Sequence, residues 1–185
     1  MALTATLHRL RIALSDADRG VYEALDLRLA QHPSEALRYL YARVLAYALL
    51  YEEGIAFSKG LSTTEEPAVW VRAPDGGVRM WIDVGAPSPE RLHKASKLAE
   101  RVAVFTYHDP HRLLREARGK TVHRRDHIEG YALEPTFLDA LSEVTDRNAS
   151  WELVRSGGQL YVTVGGGTFE GRVEPFSFAD EGGTR

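Results

Sequence analysis

Apolar residues recur at helical spacing most clearly in the segment HPSEALRYLYARVLAYALLYEEG, residues 32–54. Pro33 fits the first position of a helix, Glu35 fits its first turn, where the helix dipole favours an acid, and Gly54 fits its end. The apolar side chains cover so much of the circumference that the sequence predicts a helix at the centre of the core. They are Leu37, Leu40, Tyr41, Val44, Leu45, Ala48 and Leu49.

Alternating apolar and polar residues predict an antiparallel hairpin before this helix. Residues 2–14 read as its first strand, but the apolar positions change parity between Leu7 and Leu10. We therefore predict a β-bulge near His8–Arg9. The segment SDADRG has turn composition, and residues 21–29 alternate again as the partner strand.

The middle of the chain carries both strand and helix signals. GIAFSKGL, PAVWVRA and GVRMWIDVG read as strands, and the turn APDGG joins the last two as a hairpin. SPERLHKASKLAERV predicts a helix that Ser88 caps, and VAVFTY predicts a short buried strand. The buried stripe of that helix would be Leu92, Ala95, Ala99 and Val102.

The remaining segments complete a single domain. HRLLREARGK predicts a short basic helix, TVHRRDHIEGYAL a strand or extended segment, and PTFLDALSEVTD another helix. The segment SWELVRSGGQLYVTVGGGTFEGRVEPFSF predicts strand, turn and strand. We expect an α/β fold (α+β, with a mixed sheet) and a β-hairpin at each end, over residues 1–178, followed by a polar tail at 179–185.

Composition narrows the class of protein. A chain of 185 residues, with 44% hydrophobic and 26% charged residues, fits one globular domain, and no apolar run is long enough to span a membrane. The N-terminus lacks the pattern of a secretion signal, so we expect a cytoplasmic protein. Because cysteine is absent, any metal must be held by oxygen or imidazole. The net charge of -3 argues against nonspecific coating of nucleic acid.

Asp83 is the first candidate for chemistry. It follows the apolar residues 80–82 at the end of a predicted core strand, and Gly85 and two prolines then turn the chain. Ligands of α/β sheets gather where strands end, so a carboxylate there is placed for function. Acids are also common at strand ends as turn formers, and position alone favours that structural interpretation.

Two other acidic positions could join Asp83. Glu65 and Glu66 precede Pro67 at the start of the neighbouring strand. Carboxylates from adjacent strands can share one Mg²⁺, although such a segment is more often a solvated turn. Glu35 could serve as a third carboxylate, or it could simply complement the helix dipole.

A lysine on the helix after Asp83 could complete such a site. At about 100° per residue, Lys94 lies on the flank of the apolar stripe, and Lys97 points further into solvent. A lysine near a scissile phosphate orients the attacking water and stabilises developing negative charge. A surface lysine with a partly buried stem fits the same spacing.

Basic residues cluster between His111 and His127. A cluster of this kind can bind phosphate groups or can simply be solvated. Its members are Arg112, Arg115, Arg118, Lys120, Arg124 and Arg125.

Two histidine pairs have the spacing found in metal sites. His108 and His111 straddle Pro110, and His123 and His127 lie in a segment without helical periodicity. Neither pair therefore predicts a metal motif.

Several segments spread over nearly the whole chain carry a family resemblance: MALTATLHR, LAQHPSE, FSKGL, EEPAVW, WIDVGAPSPERLHKAS and VAVFTY. Together they resemble the YaeQ family of small bacterial proteins. The resemblance implies a variation of the PD-(D/E)XK nuclease core, with an acid on a helix, acids on two successive strands and a completing lysine. Glu35, Glu66, Asp83 and Lys94 follow that order. No lysine stands two residues after Asp83, so Lys94 on the next helix would replace it.

Two hypotheses follow from these residues. A Mg²⁺-dependent phosphodiesterase acting on DNA or RNA would bind metal through Glu66 and Asp83, with Glu35 assisting and Lys94 orienting water. The basic segment Arg112–Arg125 would bind the phosphates. The alternative is a non-catalytic protein of the nuclease fold that binds nucleic acid or another protein, and an association with transcription elongation has been suggested for the family.

Overall fold

A single mixed β-sheet organises the described residues, 4–59 and 65–179, in the computed structural model. Its strands are β1 (Thr6–Asp16), β2 (Val21–Gln31), β3 (Ile55–Phe57), β4 (Val69–Arg72), β5 (Val78–Val84), β6 (Ala99–Thr106), β7 (Glu129–Leu133), β8 (Asn148–Ser156), β9 (Gln159–Val164) and β10 (Gly167–Ser177). The helices are α1 (Leu37–Leu49), α2 (Pro89–Leu98), α3 (Pro110–Arg118) and α4 (Pro135–Leu141), with a 3₁₀ turn at Arg125–His127. The strand order is β2-β1-β8-β9-β10-β7-β6-β5-β4-β3. The predicted mixed α/β fold is confirmed.

The N-terminal hairpin forms as predicted, but without a bulge. β1 and β2 pair in one unbroken antiparallel register, from Thr6 opposite Gln31 to Asp16 opposite Val21. The predicted bulge near His8–Arg9 is therefore wrong. Its premise was that Leu7 is buried, whereas Leu7 is 74% exposed. Most of the predicted C-terminal tail lies outside the described residues.

α1 lies at the centre of the core, as its apolar circumference predicts. Its inward residues, such as Leu40 and Leu45, are fully buried against the sheet. The predicted start was wrong: Pro33 lies in a turn, Ala36 is the N-cap, and Glu35 precedes the helix. At 13 residues α1 is the longest helix of residues 4–59 and 65–179, and no helix in these ranges is long and apolar enough to cross a membrane.

Three parallel strands, β5, β6 and β7, divide the core into two layers. On one face, Ile82 and Phe105 pack in the cluster that contains α1. On the other face, Trp81 and Val104 pack against α2. The predicted helix over SPERLHKASKLAERV ends early, at Leu98, because the apolar run that follows continues as β6.

The C-terminal part forms three antiparallel strands, β8, β9 and β10, where the sequence predicted two. The glycine pairs at 157–158 and 165–166 make both turns with positive φ angles. Gly171 on β10 lies beneath Phe137 of α4: a Cβ at this position would come within 2.3 Å of the Phe137 ring. The missing side chain therefore lets α4 pack closely on the sheet.

We predict that Gly171→Ala lowers the free energy of unfolding by roughly 1–3 kcal/mol, the usual cost of overpacking a core. Gly167→Ala on the same strand is the matched control, because the nearest atom to its added Cβ is 3.9 Å away. Urea unfolding of both variants measures the difference. Equal stability of the two would contradict the close packing of α4.

Candidate functional site

Asp83 lies near the carboxyl end of β5, as its position after an apolar segment predicts. The strand runs between β4 and β6, so the Asp83 residue is only 2% exposed. Gly85 follows with a φ of 96°, and its amide donates to the carbonyl of Phe105. This turn ends the strand and leaves a buried carboxylate on the α2 face of the sheet.

Arg91 provides the charge that this carboxylate needs. Its Nε donates to Asp83 Oδ2 at 2.9 Å and its Nη2 to Asp83 Oδ1 at 2.7 Å. Nη2 also donates to the carbonyl of Glu66 at 2.8 Å, and the guanidinium lies over the Trp81 ring, 5.5 Å from its centroid. Burial lowers the pKa of Arg91, whereas the hydrogen bonds to Asp83 and the negative charge of Asp83 raise it. The raising effects are the larger in sum, so the net shift of the pKa is upward. Arg91 therefore stays charged and holds α2, β5 and the chain before β4 together.

The local sequence explains how Arg91 reaches Asp83. Ser88 caps α2 by accepting a hydrogen bond from the Arg91 amide, and Pro89 occupies the first position of the helix. The first turn of α2 thus places Arg91 directly above the strand end. Arg91 is not among the site residues that the sequence predicted, although an arginine in the capped first turn after a buried acid was the available signal.

Lys94 lies one helical turn beyond Arg91 and pairs with Glu65. Its ammonium is directed to that carboxylate and not to Asp83. The hydrogen bond and the charge of Lys94 lower the pKa of Glu65, which is an exposed side chain. Lys97 is exposed in the last turn of α2, so Lys94 is the lysine that belongs to the cluster.

Glu66 joins the same cluster through its main chain. Its carbonyl accepts from Arg91, while its carboxylate Oε2 accepts from the amide of Lys59 at 3.3 Å. Asp83, Arg91, Glu65, Glu66 and Lys94 are here called the strand-end cluster. It contains three of the four residues that the sequence predicted as catalytic.

Glu35 lies apart from this cluster. Its Oε1 accepts from Arg43 at 2.8 Å and its Oε2 from the amide of His32 at 3.0 Å. Both side chains of the ion pair are almost completely buried, at 0% exposure for Glu35 and 2% for Arg43. Because Arg43 is on α1, this pair belongs to the opposite face of the sheet from Asp83.

Tyr39 connects the two acidic sites electrostatically. Burial raises its pKa to about 12, the charge of Arg43 opposes the rise, and the negative charges of Asp83 and Glu35 add to it. The Tyr39 hydroxyl therefore remains protonated at neutral pH. It lies beside Gly85, where the chain leaves β5.

The predicted phosphate-binding residues are spread over α3, the loop that follows it and the 3₁₀ turn. Arg112, Arg115 and Arg118 lie on α3, on the same face of the sheet as α2, and Arg112 pairs with Glu116 at 2.9 Å. Lys120 lies 3.9 Å from Glu90 of α2. Arg124 donates to the carbonyls of Ser96 and Ala99 and so caps the end of α2. Arg125 begins the 3₁₀ turn.

A cavity of about 710 Å³ opens beside the strand ends of β6 and β7. Tyr107, His108, His111 and Glu134 are among its lining residues. The histidine pair that the sequence analysis set aside thus lines a cavity. Within residues 4–59 and 65–179, no group of three or more histidine and acidic side chains is arranged to hold a metal ion.

Comparisons with known proteins give a consistent relationship. A family model described as "YaeQ protein" matches residues 1–173. The "Uncharacterized protein YaeQ" of Escherichia coli (strain K12) is 37% identical over 107 residues, which are 58% of this chain and 59% of that protein. The protein of the same name from Salmonella typhi is 29% identical over 172 residues, 88% of this chain and 91% of that protein.

Two solved structures have the same fold. The YaeQ protein from Pseudomonas syringae superimposes with a TM-score of 0.85 at 31% identity, covering 94% of this chain and 96% of that one. The YaeQ protein from Xanthomonas axonopodis pv. citri gives 0.86 at 29% identity, covering 94% and 99%. The family model and these structures span nearly the whole chain, and the chain belongs to the YaeQ family.

Proposed function

We propose that this protein is a divalent-metal-dependent phosphodiesterase acting on nucleic acid, with the strand-end cluster as its active site. The observation that carries the proposal is that Arg91 joins Asp83, at the end of β5, to the main chain of Glu66, with Lys94 one helical turn further along α2. The order of elements supports it, because α1, β3, β4, β5, α2 and β6 follow one another as helix, three strands, helix and strand. The resemblance implies an acid on the helix and acids on two successive strands; here Glu35 precedes α1, Glu66 precedes β4 and Asp83 lies on β5.

The donor chemistry of the cluster fits Mg²⁺. This ion takes oxygen ligands and is usually bound through one or two carboxylates together with substrate phosphates. Asp83 and Glu66 would be those carboxylates. In the structure each of these carboxylates accepts a hydrogen bond: Asp83 from Arg91, and Glu66 from the amide of Lys59. A bound divalent ion would supply an activated water and polarise the phosphate ester.

The cationic side chains of the cluster have separate roles in this proposal. Lys94 stabilises negative charge that develops on the phosphate. Arg91, once released from Asp83, presents a planar guanidinium that suits bidentate binding of a phosphate. Arg112, Arg115 and Arg118 on α3 bind neighbouring phosphates on the same face of the sheet. Glu35 assists indirectly, because its pair with Arg43 ties the segment before α1 to the helix that carries Tyr39.

One observation favours a second candidate, a non-catalytic binding protein of the nuclease fold. Each oxygen of Asp83 already accepts a hydrogen bond from Arg91. A bidentate ion pair with a buried carboxylate is costly to separate, because separation leaves that carboxylate without a compensating charge. In this alternative Asp83 is structural, and the α3 arginines bind nucleic acid or an acidic protein surface without cleavage.

We predict that Asp83→Asn and Lys94→Ala each lower the rate of Mn²⁺-dependent cleavage of single-stranded and duplex DNA and RNA by roughly a hundredfold or more, the usual effect of removing an electrostatic or proton-transfer group. EDTA should abolish cleavage by the wild type. Lys97→Ala, three residues further along α2, is the matched control and should retain full activity. Cleavage that survives both changes would exclude these residues from the mechanism.

We predict that Arg91→Gln tightens Mn²⁺ binding by about tenfold, which corresponds to ~1.4 kcal/mol, because the cation no longer competes with a guanidinium for Asp83. Isothermal titration calorimetry measures the affinity. Arg101→Gln is the control, since Arg101 forms a similar two-point pair with Glu129 away from the cluster. Absence of binding in every variant would support the non-catalytic alternative, and equal affinity of Arg91→Gln and the wild type would show that Arg91 does not compete.

A further inference from the structure

β2 forms one edge of the sheet. Among residues 4–59 and 65–179 it pairs with β1 alone, and it is 11 residues long. It contains no proline and its pairing with β1 has no register shift. Proline and bulges are two of the devices with which natural proteins protect an edge strand from pairing with another chain. The outer edge of β2 is therefore open to a further strand.

The exposed face of this edge has an excess of positive charge. Arg28 lies opposite Arg9 in the β1–β2 register, and Asp26 lies opposite Arg11. Asp26 is held by Arg9, through contacts of 3.0 Å and 2.7 Å. The charges of Arg9, Arg28 and Arg11 all lower the pKa of Asp26, after the hydrogen bond from Arg9, which is the largest cause. Three arginines thus share one acid, and within the described ranges Arg28 forms no ion pair of its own.

We propose that β2 pairs antiparallel with β2 of a second copy of this chain, about a two-fold axis at Leu27. Residues opposite each other in such a pair have position numbers that sum to 54. This register places Asp26 of each copy opposite Arg28 of the other, and Leu25 opposite Leu29. Each Arg28 gains an ion-pair partner, which the described residues of its own chain do not provide. A symmetric pair needs a self-complementary surface, and this register supplies one.

Neighbouring registers do not offer the same match. Residues opposite each other in two paired strands must point to the same face of the sheet. The two-fold axis must therefore pass through a residue, and not between two residues, if leucines are to lie opposite leucines. An axis at Asp26 brings the two Asp26 carboxylates together, and an axis at Arg28 brings the two guanidinium groups together. Like charges directly opposite each other are destabilising. The charge pattern therefore selects Leu27 as the centre.

The experiment is sedimentation velocity of the full chain over a wide range of concentration, up to millimolar protein. The wild type should approach the mass of two copies. Arg28→Asp should raise the dimer dissociation constant by about a hundredfold, because like charges then meet twice across the axis. This change leaves the chain's own fold intact, since it puts an acid opposite Arg9. Arg172→Asp, on β10 of the same sheet, is the matched control and should dimerise like the wild type.

Mixing two variants tests the register itself. Arg28→Asp and Asp26→Arg should each be monomeric, yet an equimolar mixture should form a heterodimer, because both cross-strand pairs again join opposite charges. If Asp26→Arg does not fold, protection of β2 amides from hydrogen exchange should rise with wild-type concentration and not with that of Arg28→Asp. A wild type that stays monomeric, or a dimer that Arg28→Asp does not weaken, overturns the proposal.

Discussion

The buried carboxylate of Asp83 requires a positive partner, and this requirement organises the end of the sheet around it. A charged carboxylate buried at the end of a core strand costs free energy unless it is paired and hydrogen-bonded. Arg91 supplies that compensation with two hydrogen bonds, and the same guanidinium binds the carbonyl of Glu66. One side chain thereby fixes the start of α2, the end of β5 and the approach to β4. These are the elements whose ends form the candidate site.

A second buried pair, Glu35 with Arg43, lies on the other face of the sheet. Tyr39 interacts electrostatically with Arg43, Asp83 and Glu35, and its burial is the main cause that raises its pKa to about 12. In the proposed phosphodiesterase, Asp83 would hold a divalent ion in place of Arg91, and the released Arg91 guanidinium would bind the phosphate. The same pair, left undisturbed, is the structural core of the non-catalytic alternative.

The fold was predictable where a pattern had one physical solution. The apolar circumference of α1 and the alternation of β2 each fit one element, and Asp83 was located because apolar residues precede it and glycine follows it. The predictions were wrong where one sequence pattern fitted two kinds of secondary structure. Pro33 and Glu35 fit a helix start, yet Pro33 formed a turn before it. Ala99 and Val102 fit the buried stripe of a helix, but in the structure they belong to the first half of β6, where both are buried.

The site was predicted less completely for a different reason. The spacing of residues along the chain predicted that Glu66, Asp83 and Lys94 lie near one strand end. Spacing alone does not say which of the charged side chains form ion pairs. Arg91, eight positions after Asp83, has the spacing of an ordinary surface arginine, and only the Ser88 cap and the depth of Asp83 make it a partner. The most direct test of the exchange is a crystal structure with Mn²⁺, using anomalous scattering to locate the metal. The account predicts a peak coordinated by Asp83 with the Arg91 guanidinium displaced; no peak, with Arg91 still bidentate on Asp83, would contradict it.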